Sequence, residues 1–179
     1  MKIESKLLRA AQHCQGKGDV RYYLNGVHVY DNIVESTNGH VAVQMTMKKK
    51  IRGNFILNIK GVVPSKAVVT KFVLGGSESI AKHYDFYKIL ISVSCVTVIE
   101  GKFPDINKVM PKEFKPVLEV GFNTEYVGLF AKMFGKGVMG SAKFKFGGDA
   151  GCVLLTSNNA IVNEEYGDPK FIVMPSRLN

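Results

Sequence analysis

The residues able to do chemistry are few and poorly grouped. No nucleophile-elbow pattern, phosphate-cradling glycine loop or HExxH pair is present. Gly16-Lys17-Gly18 lacks the further glycine and the preceding strand that a phosphate loop requires. Cys14, Cys95 and Cys152 are widely spaced, and neither they nor His13, His28, His40 and His83 show metal-ligand spacing. They read as reduced thiols packed as small apolar groups. His40 follows an Asn38-Gly39 turn and could serve as a base, but nothing near it in sequence would orient it. Glu164-Glu165, close to Asp168, read as a solvated loop. An enzyme, a cofactor and a metal are therefore not expected. The cations are better placed. Lys and Arg number 24 against 15 Asp and Glu, a formal charge of +9 that favours a polyanionic partner. Lys6 and Arg9 share a helix face at i, i+3, with His13 four further on and Lys2 ahead of them. Lys66 with Lys71, and Lys132 with Lys136, accompany two further helical patterns. Such faces would touch phosphates without reading bases, ordinary solvated helix surface being the alternative. Lys48-Lys49-Lys50 fits a solvated hairpin loop or a backbone contact equally well.

The elements that must carry these residues follow from periodicity. Helical spacing predicts three helices, each with a capping start and a glycine exit. They cover residues 5–15 from Ser5, 64–75 from Pro64-Ser65, and 123–135 from Asn123. Strands are predicted at 22–30, 40–47, 54–59, 86–99, 138–146, 152–156 and 170–174, from alternation and β-branched content. One helix followed by several strands, three times over at a spacing of about 60 residues, predicts an α+β fold with helices on one face of antiparallel sheet. Pro111, with Lys112 and Pro116 after it, marks a linker between units 1–111 and 112–179. The 179 residues are 46% hydrophobic and 22% charged, which excludes disorder as the main state. No apolar run reaches membrane-helix length, so no membrane partner is expected. The opening Met1-Lys2-Ile3-Glu4-Ser5-Lys6 has no apolar signal region, which predicts a cytoplasmic protein.

Four strings then become recognisable. Arg21-Tyr22-Tyr23-Leu24-Asn25-Gly26 followed by Thr37-Asn38-Gly39-His40 resembles the RYYLNG and TDGHRL strings in the middle domain of the bacterial DNA polymerase III β sliding clamp family. Gly101-Lys102-Phe103-Pro104-Asp105, continuing to Val109-Met110-Pro111, is similar to that domain's closing GKFPDYxxVxP. Phe122-Asn123 with Tyr126 resembles the FNxxY that opens the last helix of the third domain, and Val173-Met174-Pro175-Ser176-Arg177-Leu178 resembles the terminal VMPMRL. The order is the family's order. By this resemblance 1–111 corresponds to a complete middle domain, two helix-plus-strands halves, and 112–179 to the second half of the third. So abbreviated a form fits a phage or mobile-element setting.

What the resemblance implies is a DNA clamp fold: a ring around duplex DNA, helices inward with Lys2, Lys6, Arg9, Lys66, Lys71, Lys132 and Lys136 toward phosphates. Contact of that kind is sequence-independent and permits sliding. It also implies a peptide pocket between the two units, for a DNA polymerase and other proteins carrying clamp-binding motifs. The positions matching that pocket are Arg21, Leu24, Thr37, Gly39, His40, Pro104, Lys108, Val109, Asn123, Tyr126, Ile172, Met174, Pro175, Ser176, Arg177 and Leu178. Leu24, Val109, Ile172 and Met174 would floor it for a Leu or Phe anchor. Packing of one unit on the other is the alternative role for these residues. The sequence departs from the family in three places. His40 is followed by Val41 instead of Arg, Lys108 replaces an arginine, and Ser176 replaces methionine. The family ring holds twelve halves, so three per chain would call for four chains. An odd number per chain flips neighbours and makes their contacts isologous, a tetramer with dihedral symmetry. The resemblance leaves open whether a clamp loader is needed. A clamp-derived adaptor or decoy that binds such peptides without closing a ring is the alternative function.

Overall fold

The computed structural model describes residues 1–179 except 76–77, 135–140, 149–150 and 177–179. Lys136, Arg177 and Leu178, the helix-exit glycines Gly76 and Gly135, and positions 138–140 of one expected strand lie outside the described residues. The elements are β1 (Lys2–Glu4), α1 (Ser5–Gln12), β2 (Val27–Tyr30), β3 (Ile33–Thr37), β4 (Val41–Thr46), β5 (Asn54–Ile59), β6 (Val69–Val73), β7 (Ser79–Tyr84), β8 (Leu90–Ile99), α2 (Thr124–Phe134), β9 (Ala142–Phe146), β10 (Val153–Ser157), α3 (Ala160–Tyr166) and β11 (Lys170–Val173). Single 3₁₀ turns stand at Tyr22–Leu24 and Ile106–Lys108. The fold is the expected α+β type.

All the strands join one antiparallel sheet in the order β1-β6-β7-β8-β5-β2-β3-β4-β11-β10-β9. That order has an internal symmetry. Exchanging β1 to β4 for β5 to β8 converts the run β1-β6-β7-β8 into β5-β2-β3-β4. The sheet then passes into the C-terminal segment through β4, whose Val41 and Val43 pair with Val173 and Phe171 of β11. Alternate strand residues face the helices, so Val27, Val29, Val34, Val43, Leu57 and Phe171 are fully buried under Leu7, Leu8 and Ala11 of α1 and Phe130 and Phe134 of α2. The two helices meet where the Cys14 thiol points at Met133 Sδ, 3.7 Å away.

Local chemistry sets the helix ends. The Asn123 side chain accepts from the Glu125 amide, with Glu125 in the first turn of α2 and Lys132 in the last, both signs suited to the helix dipole. Asn159 does the same for α3, and Gly167 ends it at φ 63°, where a Cβ would run into the Thr46 carbonyl. That short helix was not expected. Glu164 and Glu165 lie on it, not in a loop.

The predicted helix over 64–75 is absent. After a turn at 64–67 the chain enters β6, where Thr70 and Phe72 are buried while Lys71 and Val73 are exposed. This is a period of two. The β-branched run Val68-Val69-Thr70 suits a pleated strand, and pairing to both β1 and β7 overrides the helical reading. Ser5 is not a helix cap either: its hydroxyl lies 2.8 Å from that of Thr70 across the buried face of β6.

Candidate functional site

Beside the β4·β11 junction is a pocket of about 210 Å³. One wall comes from the 3₁₀ turn at Tyr22–Leu24, through Tyr23 and Leu24. The β3–β4 turn contributes Thr37, Gly39 and His40, the 104–109 segment Pro104, Ile106 and Val109, and the end of β11 Ile172 and Met174. The register of β4 against β11 sets Ile172 opposite Ala42, so the floor spans both sides of the junction. Leu24 and Ile172 are buried, whereas Val109 and Met174 stand half exposed, as an open apolar floor requires.

The rim is held by short polar contacts. Arg21 reaches Asp19 with Nε at 3.0 Å and a terminal nitrogen at 2.8 Å, and donates to the Asn38 carbonyl at 3.2 Å. That pairing pulls the Asp19 carboxyl down to about 2. The guanidinium lies over Gly39, whose φ of 90° and lack of a Cβ leave room for it. The Asn38 side chain accepts from the His40 and Val41 amides, which shapes the turn. The His40 ring stacks on Tyr126 of α2, centroids 5.6 Å apart and planes 14° from parallel.

Below the pocket, the Cys152 thiol donates to the Val109 carbonyl at 2.6 Å, and burial raises its pKa. Phe103 stacks on His28, whose ring nitrogens lie 2.9 Å from Glu35 and 2.7 Å from Asn54.

Of the residues the resemblance placed here, Arg21, Leu24, Thr37, Gly39, His40, Pro104, Val109, Ile172 and Met174 line the pocket. Tyr126 touches it through His40. Asn123 is occupied capping α2, Ser176 bonds Gly121 through its amide at 2.8 Å, and Lys108 and Pro175 do not line the cavity. Tyr23, Val41, Ala42, Asp105 and Ile106 line it and were not among them. Tyr23, Asp105 and Ile106 fall inside recognised strings, Ile106 at the tyrosine position of GKFPDYxxVxP, where the sequence departs from the pattern.

On the helix side, an open groove of about 540 Å³ runs between α1, α2 and the 61–65 segment. Lys6, Arg9 and Lys132 line it together with His13 and Lys17, the last not singled out from the sequence. Arg9 and Lys6 are engaged internally. Arg9 donates to the Pro64 and Ala67 carbonyls, both at 2.8 Å, and burial lowers its pKa. Lys6 lies 3.7 Å from Glu165 and over the Tyr166 ring. Lys66 is exposed in the turn after the groove. Lys2 and Lys71 pair across β1 and β6 on the face opposite the buried Ile3 and Thr70, and so on the face away from α1. Among the described residues no group of three or more His, Cys, Asp or Glu could hold a metal, and no helix is long and apolar enough to cross a membrane.

No family model matches the sequence, and no curated protein matches it. Solved structures do. A DNA polymerase sliding clamp from Pseudomonas aeruginosa superposes with a TM-score of 0.69 at 18% identity, covering 99% of this chain and 66% of that one. The clamp from Bacillus subtilis gives 0.69 at 12% identity over 100% and 64%, and that from Caulobacter crescentus 0.68 at 15% over 99% and 65%. The chain therefore has the fold of the bacterial DNA polymerase sliding clamps, and spans just under two thirds of their length.

Proposed function

We propose that this protein is a non-enzymatic, cytoplasmic DNA sliding clamp that encircles duplex DNA and receives partner peptides in the junction pocket. The observation carrying this reading is the pocket itself. An apolar floor drawn from both sides of the β4·β11 junction, rimmed by Arg21 and the His40–Tyr126 stack, suits a short peptide with a Leu or Phe anchor. Units 1–111 and 112–179 would be the two bodies between which that peptide lies. Three half-units per chain favour four chains per ring, with polymerases or other motif-bearing proteins as partners and a loader where closure demands one.

Topology gives the test. Protein bound to a nicked circular plasmid should be retained through gel filtration at moderate salt and lost once the plasmid is linearised, because a ring slides off ends. Equal retention on both forms, or on neither, would overturn the ring.

A second reading is supported by the internal engagement of Lys6 and Arg9, which leaves less free charge for phosphates. In that reading the chain is an adaptor that captures clamp-binding peptides without closing a ring. It predicts peptide binding with no dependence on plasmid form.

A further inference from the structure

Among the described residues β8 is the longest strand, and half of one of its edges is open. One edge is covered by β7, but β5 covers the other only from Val96 to Ile99, and the Lys60 amide bonds the Cys95 carbonyl. Along residues 90–94 no strand among the described residues pairs with that outer edge. The sequence Leu90-Ile91-Ser92-Val93-Ser94 has no charge and no proline, the usual devices that keep an edge from recruiting another strand. Leu90 and Val93 are 47% and 51% exposed, and Phe86, Tyr87 and Ile89 in the turn before them between 60% and 79%.

The chain itself shows what such an edge does. In the internal exchange, β8 takes the place of β4 and β7 that of β3. Ser36, whose hydroxyl donates to the Ala11 carbonyl and which lies opposite Val43, and His83, which bonds Thr70 beside Ser5 and lies opposite Ser92, are the buried polar residues that β3 and β7 turn toward the helix side. Matching them lays the Val41–Gln44 stretch over Leu90–Val93. Residues 41–44 are the ones that pair edge to edge with β11, so the corresponding stretch of β8 is the one left open.

We propose that the open edge of β8 is the seat of a second copy of this chain, its own residues 90–94 pairing antiparallel across a two-fold axis. An uncharged strand brings no like charges together when it meets itself, and an antiparallel self-pairing is isologous by construction. The inference rests on the ring reading above and deepens it. Within one chain an edge-to-edge joint (β4·β11) is followed by the interlocked run β1 to β8, so a ring continues from β8 through another edge-to-edge joint, here with a flipped neighbour.

Solution mass by light scattering, on the unmodified chain and on an Ile91→Lys/Val93→Lys variant, tests this, with melting temperature as the check on folding. The expected result is a four-chain mass that falls to half in the variant, because four lysines then face one another at each β8 joint. A two-chain mass that falls to one chain also supports the β8 pairing while ending the closed ring. A four-chain mass unchanged in a folded variant overturns the β8 pairing and leaves the ring standing. A persistent monomer overturns both. Should the variant not fold, amide hydrogen exchange on the unmodified protein decides. The Ile91 and Val93 amides, which point away from β7, should be protected at high concentration and lose protection on dilution, and their fast exchange in the assembled protein overturns the pairing.

Discussion

Arg21 sits over the β3–β4 turn because Gly39 gives way to it. At φ 90° a side chain is strained in any surroundings, and a Cβ there would lie 2.9 Å from the guanidinium nitrogens. Gly39→Ala is therefore expected to cost about 1–3 kcal/mol. It should also weaken binding of a fluorescent clamp-motif peptide, read by anisotropy, more than Val62→Ala at an exposed site on the helix-side groove. Equal affinities would remove Arg21 from the rim's function. The Arg21–Asp19 pair has a pH signature as well. A carboxyl held near 2 favours the fold above its ordinary value and loses that effect only as pH falls through about 2, so the pair should persist at pH 4. Loss of the Arg21 side-chain NMR signature by pH 4 would contradict this. At this scale the lining of the candidate pocket was largely legible, because Arg21, Leu24, Gly39 and His40 stand in compact strings. Ile106 was not, since it replaces the tyrosine of its string and a single 3₁₀ turn leaves no periodicity to show which side is buried.

The elements were legible where one period dominated and illegible where two fitted. Residues 64–75 carry apolar groups at both helical and strand spacing, and pairing of β6 to β1 and β7 decides between them. Without a helix there, the 61–67 segment is held by α1 instead. Arg9 bonds Pro64 and Ala67, while Gln12 donates to the Gly61 carbonyl at 2.9 Å and accepts from the Val63 amide at 3.0 Å. Beside it, the buried Thr70 and His83 and the half-buried Ser94 form a chain, His83 Nδ1 3.0 Å from Thr70 and Nε2 3.1 Å from Ser94. Burial lowers the His83 pKa, and the nearby Arg9 charge pushes the same way. The unfolded chain thus binds this proton more readily than the folded one. The contribution is complete above the ordinary imidazole value and is lost as pH falls below it. Melting temperature should decline between pH 7 and pH 5, and His83→Gln should flatten that slope, whereas an unchanged slope would assign it to other groups. A simpler prediction concerns α2. Asn123→Ala removes its cap and should cost about 1 kcal/mol in chemical denaturation, and a negligible cost would mean that packing of Phe130 and Phe134 alone fixes the helix.

At the scale of the whole molecule, the sheet has two faces and both are basic. The helix side gathers Lys6, Arg9, Lys17 and Lys132 along one groove, while the opposite face carries Lys2 and Lys71 in register across β1 and β6. Net charge of +9 says only that a polyanion is welcome, and sequence spacing could not assign the lysines to faces because the strand that carries Lys71 reads as a helix. A ring with its helices inward makes a sharp distinction between the two sets. Each phosphate contact removed lowers the slope of log affinity against log salt by about one. Lys17→Glu/Lys132→Glu should therefore weaken DNA binding and flatten its salt dependence, whereas Lys2→Glu/Lys71→Glu should leave both nearly unchanged. Neither pair lies in the junction pocket or on the open edge of β8, so peptide affinity and solution mass should be those of the unmodified protein. Anisotropy titrations of a labelled duplex across a salt series read the difference directly. The reverse pattern, with binding lost on the Lys2 and Lys71 face, would turn the molecule inside out relative to a clamp and point to DNA held on the sheet.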